Sequence, residues 1–201
     1  EMIGANPKRL SVSLYEKLIT DETWYLSRAS MGYNKFIHKP LMLQFSGQPY
    51  IDVELSLFSL IPQNLPKNIK EKILLDQILY LQKKPHLADK FEFNVAFSSL
   101  DFNFDDLSKK VLISLTATEI NYLKNKLVQF TNQVVKEGLK KNYRTTFKED
   151  INNESYNFVK DIDYIKSNGT FPFAISARHA FIAMSFLKSS VSQGVISENR
   201  I

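Results

Sequence analysis

Between Phe173 and Leu187 the chain is built from Phe, Ala, Ile, Met, Leu and Ser, interrupted only by Arg178 and His179. A stretch that is apolar on nearly every helical face predicts a core helix, here from about Phe173 to Gln193 with Gly194 after it. That prediction constrains the rest of the fold. A buried guanidinium must meet a carboxylate or several carbonyls, because an unpaired charge there is costly. The chain therefore has to bring such a partner to Arg178, and among the acids Asp52 and Glu54 are the natural candidates.

Those two acids fall in a region with a two-residue period. Leu41, Leu43 and Phe45 alternate, Ser46-Gly47-Gln48 supplies a turn, and Ile51, Val53, Leu55 and Leu57 alternate again, which predicts a β-hairpin. A third strand is predicted where Phe91, Phe93, Val95 and Phe97 share one face. Asp52, Glu54, Glu92 and Asn94 would then share the opposite face, as the wet side of a half-buried sheet or as oxygen ligands for Mg²⁺ or an acid/base pair.

Helical patterns occupy most of the remainder. Leu10, Leu14 and Leu18 recur at helical spacing, and Thr20-Asp21 can cap a second helix from Trp24 to Ala29, ended by Gly32. Pro62 and Pro66 open a helix that runs to Lys84, apolar at Ile73, Leu74, Ile78 and Leu81 and stopped by Pro85. Leu100 to Ser114 reads as irregular. Thr116 and Glu119 have capping-box spacing and lead into a seam of Ile120, Leu123, Leu127, Phe130 and Val134, with Gly138 or Asn142 as its end. Tyr156 to Lys166 reads as a further helix closed by Asn168-Gly169. Strands and helices are segregated rather than alternating. The predicted class is α+β, mostly helical, with a small antiparallel sheet of about three strands. Residues 1–201 are expected to form a single domain, 1–100 with helices plus sheet and 101–201 mainly helical.

Composition narrows the function classes. With 201 residues, 44% hydrophobic and 23% charged, one globular core is expected. Absence of cysteine excludes disulfides and thiolate-bound zinc and fits a cytoplasmic protein. No apolar run reaches the roughly 18–20 residues a membrane span needs. The net charge of +5 is local: residues 109–148 carry nine Lys/Arg against Glu119 and Glu137, and residues 149–163 carry five acids against Lys160. Adjacent blocks of opposite sign, nearly all Lys on the basic side, describe water-facing helices better than a nucleic-acid footprint. His38 and His86 sit beside prolines and read as surface residues. Neither a nucleophile elbow nor a phosphate-cradling glycine loop occurs. Arg178 is open to two readings, a buried ion pair pinning its helix or a grip on a phosphate or carboxylate with His179 beside it.

Three separated strings point further. They are Glu1-Met2-Ile3-Gly4 through Ser13-Leu14-Tyr15 to Leu18-Ile19-Thr20-Asp21, then Gly47-Gln48-Pro49-Tyr50-Ile51-Asp52-Val53, then Phe173-Ala174 through Ala177-Arg178-His179-Ala180-Phe181-Ile182-Ala183. In order and spacing the chain resembles the central region of bacterial proteins of the phosphoenolpyruvate synthase and pyruvate phosphate dikinase type. Asp89-Lys90-Phe91-Glu92-Phe93 and Gly169-Thr170 before Pro172 extend the likeness over most of the chain. The resemblance implies a larger ATP- and Mg-dependent phosphotransferase, and the opening at Glu1 suits either processing or a segment of such a protein. It implies no cofactor within this segment, because the ATP-grasp domain and the glycine-rich phosphohistidine segment are not among these residues. His179 in Ala-Arg-His-Ala lacks that segment's glycines and does not inherit its role. The expected function is a connecting or docking domain whose partners are flanking domains. The alternative is a small-anion module lined by Arg178, His179, Asp52 and Glu54.

Overall fold

The computed structural model describes residues 3–4, 6–35, 39–140 and 157–197. Helix dominates. In chain order α1 (Arg9–Tyr15) passes through a π turn into α2 (Thr23–Ser30), a hairpin of β1 (Met42–Phe45) and β2 (Gln48–Ile51) follows, and then α3 (Val53–Phe58) and α4 (Lys67–Lys83). After a 3₁₀ turn at Pro85–Leu87 come α5 (Phe91–Asn94), α6 (Phe104–Val111) and α7 (Ala117–Lys140), then α8 (Phe158–Ile165), a second π turn and α9 (Phe171–Ser192). The α+β class, mostly helical with a small antiparallel sheet, is what the structure has, and among the described residues that sheet is the hairpin alone.

The hairpin turns as its sequence predicts. Ser46 and Gly47 both take positive φ, +52° and +77°, the pairing a two-residue I′ turn demands. Leu43 stands opposite Tyr50, and Phe45 meets Tyr50 edge-on at 5.6 Å. Of the predicted apolar face, only Leu41 at the base of the hairpin enters a core cluster, beside Trp24 and Tyr25. Leu41 and Met42 anchor the base, and Leu43, Phe45, Tyr50 and Ile51 remain exposed.

Strand pairing stops at Ile51. Asp52 caps a helix instead, accepting from the backbone N–H of Leu55 at 3.0 Å, and Val53–Phe58 becomes α3. The third strand is likewise absent: Phe91–Asn94 is one helical turn, after which Val95, Ala96 and Phe97 drop into the core. Short apolar runs fit both periods, and the tertiary surroundings choose. The stretch 100–114 holds a helix, α6, which buries Phe104, Ser108 and Val111, with Asp105 and Asp106 in its first turn and Lys109 and Lys110 in its last. That charge order complements the helix dipole and was a readable signal.

The main core lies where α3, α4, α6 and α7 meet. Leu57, Ile73, Val95, Val111, Leu123 and Leu127 are within 1% of full burial. Helix α7 behaves as its spacing predicts, burying Leu123, Leu127, Phe130 and Val134. Its capping box closes at both ends: the Thr116 N–H donates to Glu119 Oε2 at 2.8 Å, and the Glu119 N–H donates to Thr116 Oγ1 at 3.2 Å. Gly138 does not end the helix, which continues to Lys140. A Cβ there would sit 2.5 Å from His179 Cδ2, so glycine is what lets α9's imidazole approach the α7 backbone. Asn142, Tyr156 and His38 lie outside the described residues, as does much of the paired charge block between 141 and 156.

Helix α9 is held on one side only. Ile175, Arg178, Ile182 and Ser189 face inward, while Phe173, Phe181, Met184 and Leu187 are exposed. The expectation that this helix is buried nearly all round fails. Its apolar composition serves a core face and an uncovered outer face. Asn168-Gly169 do not cap α8 either, because the π turn carries the backbone straight into α9. The far end does stop at glycine: Gly194 has φ +69°, and the Gly194 and Val195 N–H groups donate to Val191 and Ser190 in a Schellman pattern.

Candidate functional site

A buried cluster of charge joins α9 to the first half of the chain. Arg178 projects inward from α9 and is 6% exposed. Its Nη1 donates to Glu92 Oε2 at 2.6 Å, its Nη2 to Ser98 Oγ, and its Nε to the Tyr33 hydroxyl at 3.3 Å. Tyr33, itself fully buried, donates to the Ser98 carbonyl at 2.8 Å. Every nitrogen of the guanidinium thus has a partner, as burial of a charge demands.

Glu92 is divided between two cations. Its other oxygen, Oε1, accepts from Arg28 Nη2 at 3.1 Å. Arg28 comes from α2, and its Nη1 donates to the Ser56 carbonyl, Ser56 Oγ and Ser59 Oγ around the end of α3. The two guanidinium groups against one carboxylate leave an excess of one positive charge. Burial pushes the Arg28 pKa down to about 10; Glu92 opposes that shift and the like charge of Arg178 adds to it.

The cluster floors a cavity of about 430 Å³ between α2 and α9. Trp24, Phe173 and Phe181 form its aromatic walls, and Ile19, Ala174 and Ala177 complete them. Thr23 also lines it, and its buried hydroxyl has no hydrogen-bond partner among the described residues.

The expected site residues do not assemble together. Arg178 is paired, but with Glu92 rather than with Asp52 or Glu54. Asp52 is occupied as the cap of α3, and Glu54 lies in the first turn of that helix. Adjacent residues on a helix diverge by about 100°, so His179 turns away from Arg178. It faces α7, with Nδ1 2.9 Å from the Ile175 carbonyl and Nε2 3.3 Å from that of Val134. There it lines a second, apolar cavity of about 620 Å³ between α7 and α9. The carboxylates proposed for a metal are separated too, and no cluster of three His, Asp or Glu suited to a metal occurs among the described residues.

Sequence reasoning missed Arg28 and did not single out Glu92 as the acid for Arg178. The available signal for Arg28 was Trp24 at i−4 on a short helix, the pair now stacked at 5.7 Å. None of the helices among the described residues is long and apolar enough to cross a membrane. Compared with known proteins, the chain matches no protein-family model, no curated protein and no solved structure.

Proposed function

We propose that this chain is a connecting and docking domain of a phosphoenolpyruvate synthase-like phosphotransferase, with the chemistry carried by flanking domains. The observation that supports it is the uncovered apolar surface of the last two helices. Phe158, Val159 and Ile165 on α8 and Phe173, Met184 and Leu187 on α9 are all exposed, with Phe173 at 69%. Large apolar side chains exposed in this number on two successive helices are expensive to leave in water and suit a contact face. The three strings that resemble the family supply the occupant, a flanking domain of the same protein.

Because these 201 residues contain no cysteine, a single introduced thiol is the only one within them, and any cysteines of the flanking domains are replaced by serine. Leu187→Cys places one thiol on the outer face, and Lys67→Cys places a control on the exposed start of α4. Labelling rates are compared between this chain and a longer protein containing the flanking domains. Docking predicts that Leu187→Cys reacts several-fold more slowly in the longer protein while the control is unchanged. Equal rates at Leu187→Cys in both would overturn the reading.

A further inference from the structure

The two arginines over Glu92 are not equivalent. Arg178 has all three nitrogens engaged and behaves as a fixed strut. Arg28 is 17% exposed, and its hydrogen bonds run from Nη1 to Ser56 and Ser59 and from Nη2 to Glu92. Glu92 has spent one oxygen on each guanidinium, so nothing remains on it to neutralise the second charge. Among the residues that line the cavity there is no other carboxylate. The excess charge opens on this space through Arg28, which lines it, and an excess buried cation attracts an anion strongly where water is partly excluded. Above this polar floor the walls are Trp24, Phe173 and Phe181, which accept a flat apolar body and reject a free hydrated ion. The volume, about 430 Å³, is that of a small-molecule site.

We propose that the cavity between α2 and α9 binds a small organic anion, a carboxylate or phosphate monoester on an apolar body of about one ring. Arg28 contacts the anionic head, and Arg178 with Glu92 holds Arg28 in place. Such an occupant supplies the second negative charge that the single Glu92 carboxylate does not, through a charge-assisted hydrogen bond to Arg28. Phe173 is shared with the exposed surface of α9, whereas Leu187, which tests docking, does not line the cavity.

Trp24 is the single tryptophan and lines the cavity, so its emission reports occupancy directly. The 201-residue chain is titrated with phenyl phosphate, benzoate, inorganic phosphate and benzyl alcohol. Phenyl phosphate or benzoate should change Trp24 emission saturably and lose affinity as salt is added. Inorganic phosphate should bind more weakly, and benzyl alcohol should give no saturation. Arg28→Met should weaken the organic anion roughly tenfold or more, the worth of one charge-assisted bond. Should Arg28→Met fail to fold, Phe173→Asp and Phe173→Asn test the same point at an exposed wall position. The added charge should weaken the anion several-fold relative to the neutral isostere. No saturation with either organic anion overturns the proposal. So do unchanged affinity in a folded Arg28→Met and equal affinity in the Phe173 pair. Equal binding of inorganic and phenyl phosphate overturns the role of the aromatic walls.

Discussion

Replacing Glu92 by Gln tests the charge arithmetic of the buried cluster. The amide keeps the shape of the side chain and removes the one negative charge that two guanidinium groups share. Taking one partner from a buried pair costs about 3–5 kcal/mol, because the remaining charge stays buried and uncompensated. Glu92 is 19% exposed, so water screens part of the loss and about 3 kcal/mol is expected. Against the roughly 5–15 kcal/mol that stabilises a domain, that is a large fraction. At about 2–4 °C per kcal/mol for a chain of this length, the melting midpoint should fall by roughly 6–12 °C. Arg178→Met provides the contrast. It leaves Arg28 and Glu92 as a neutral pair and sacrifices the bonds to Ser98 and Tyr33, for a loss of about 1–2 kcal/mol. Urea unfolding followed by helical circular dichroism and Trp24 emission gives both values. If Arg178→Met proves as destabilising as Glu92→Gln, the shared-carboxylate reasoning is wrong.

Two further expectations follow from local geometry. Gly138→Ala should destabilise by about 1–3 kcal/mol, because its Cβ would fall 2.5 Å from His179 Cδ2, and the loss should vanish in a His179→Ala background; a double-mutant cycle on thermal midpoints decides it. The Lys72 ammonium, followed by the Thr116 backbone N–H, holds Glu119 below its ordinary pKa of 4.5. The stability this contributes is present above that value and is lost as pH falls through the lowered one. The stability difference between the native chain and Glu119→Gln, measured in urea across that acid range, should shrink accordingly, and a constant difference would refute the coupling.

What the sequence made legible was mostly local. The Thr116–Glu119 box, the α7 seam, the proline-bounded α4, the Ser46-Gly47 turn and the Gly194 stop each rest on interactions within a few residues, and each formed as expected. Legibility ended where two periods fit the same letters. Val53, Leu55 and Leu57 alternate, yet Val53 and Leu57 are also one helical turn apart, and Asp52 stands where a cap belongs. Phe91 to Phe97 posed the same ambiguity, and misreading it concealed Glu92's role. That Arg178 needed an acid was readable from its apolar neighbours. Which acid it meets depends on tertiary placement across 86 residues of chain, which no local pattern encodes. His179 shows the reverse error: adjacency in sequence suggested a shared site, and helical geometry sent it to another cavity.

The span of the Arg178 contacts bears on the order of folding. Its partners Tyr33, Glu92 and Ser98 lie 145, 86 and 80 residues away along the chain. Closing loops of that length costs entropy that the contacts repay only after both ends are already shaped. The α4–α7 core, built from nearer segments, should therefore be in place first, with α9 locking onto it as a late step. The cluster then acts as a latch on a finished frame. Its loss in Glu92→Gln should show as faster unfolding, with the refolding rate nearly unchanged.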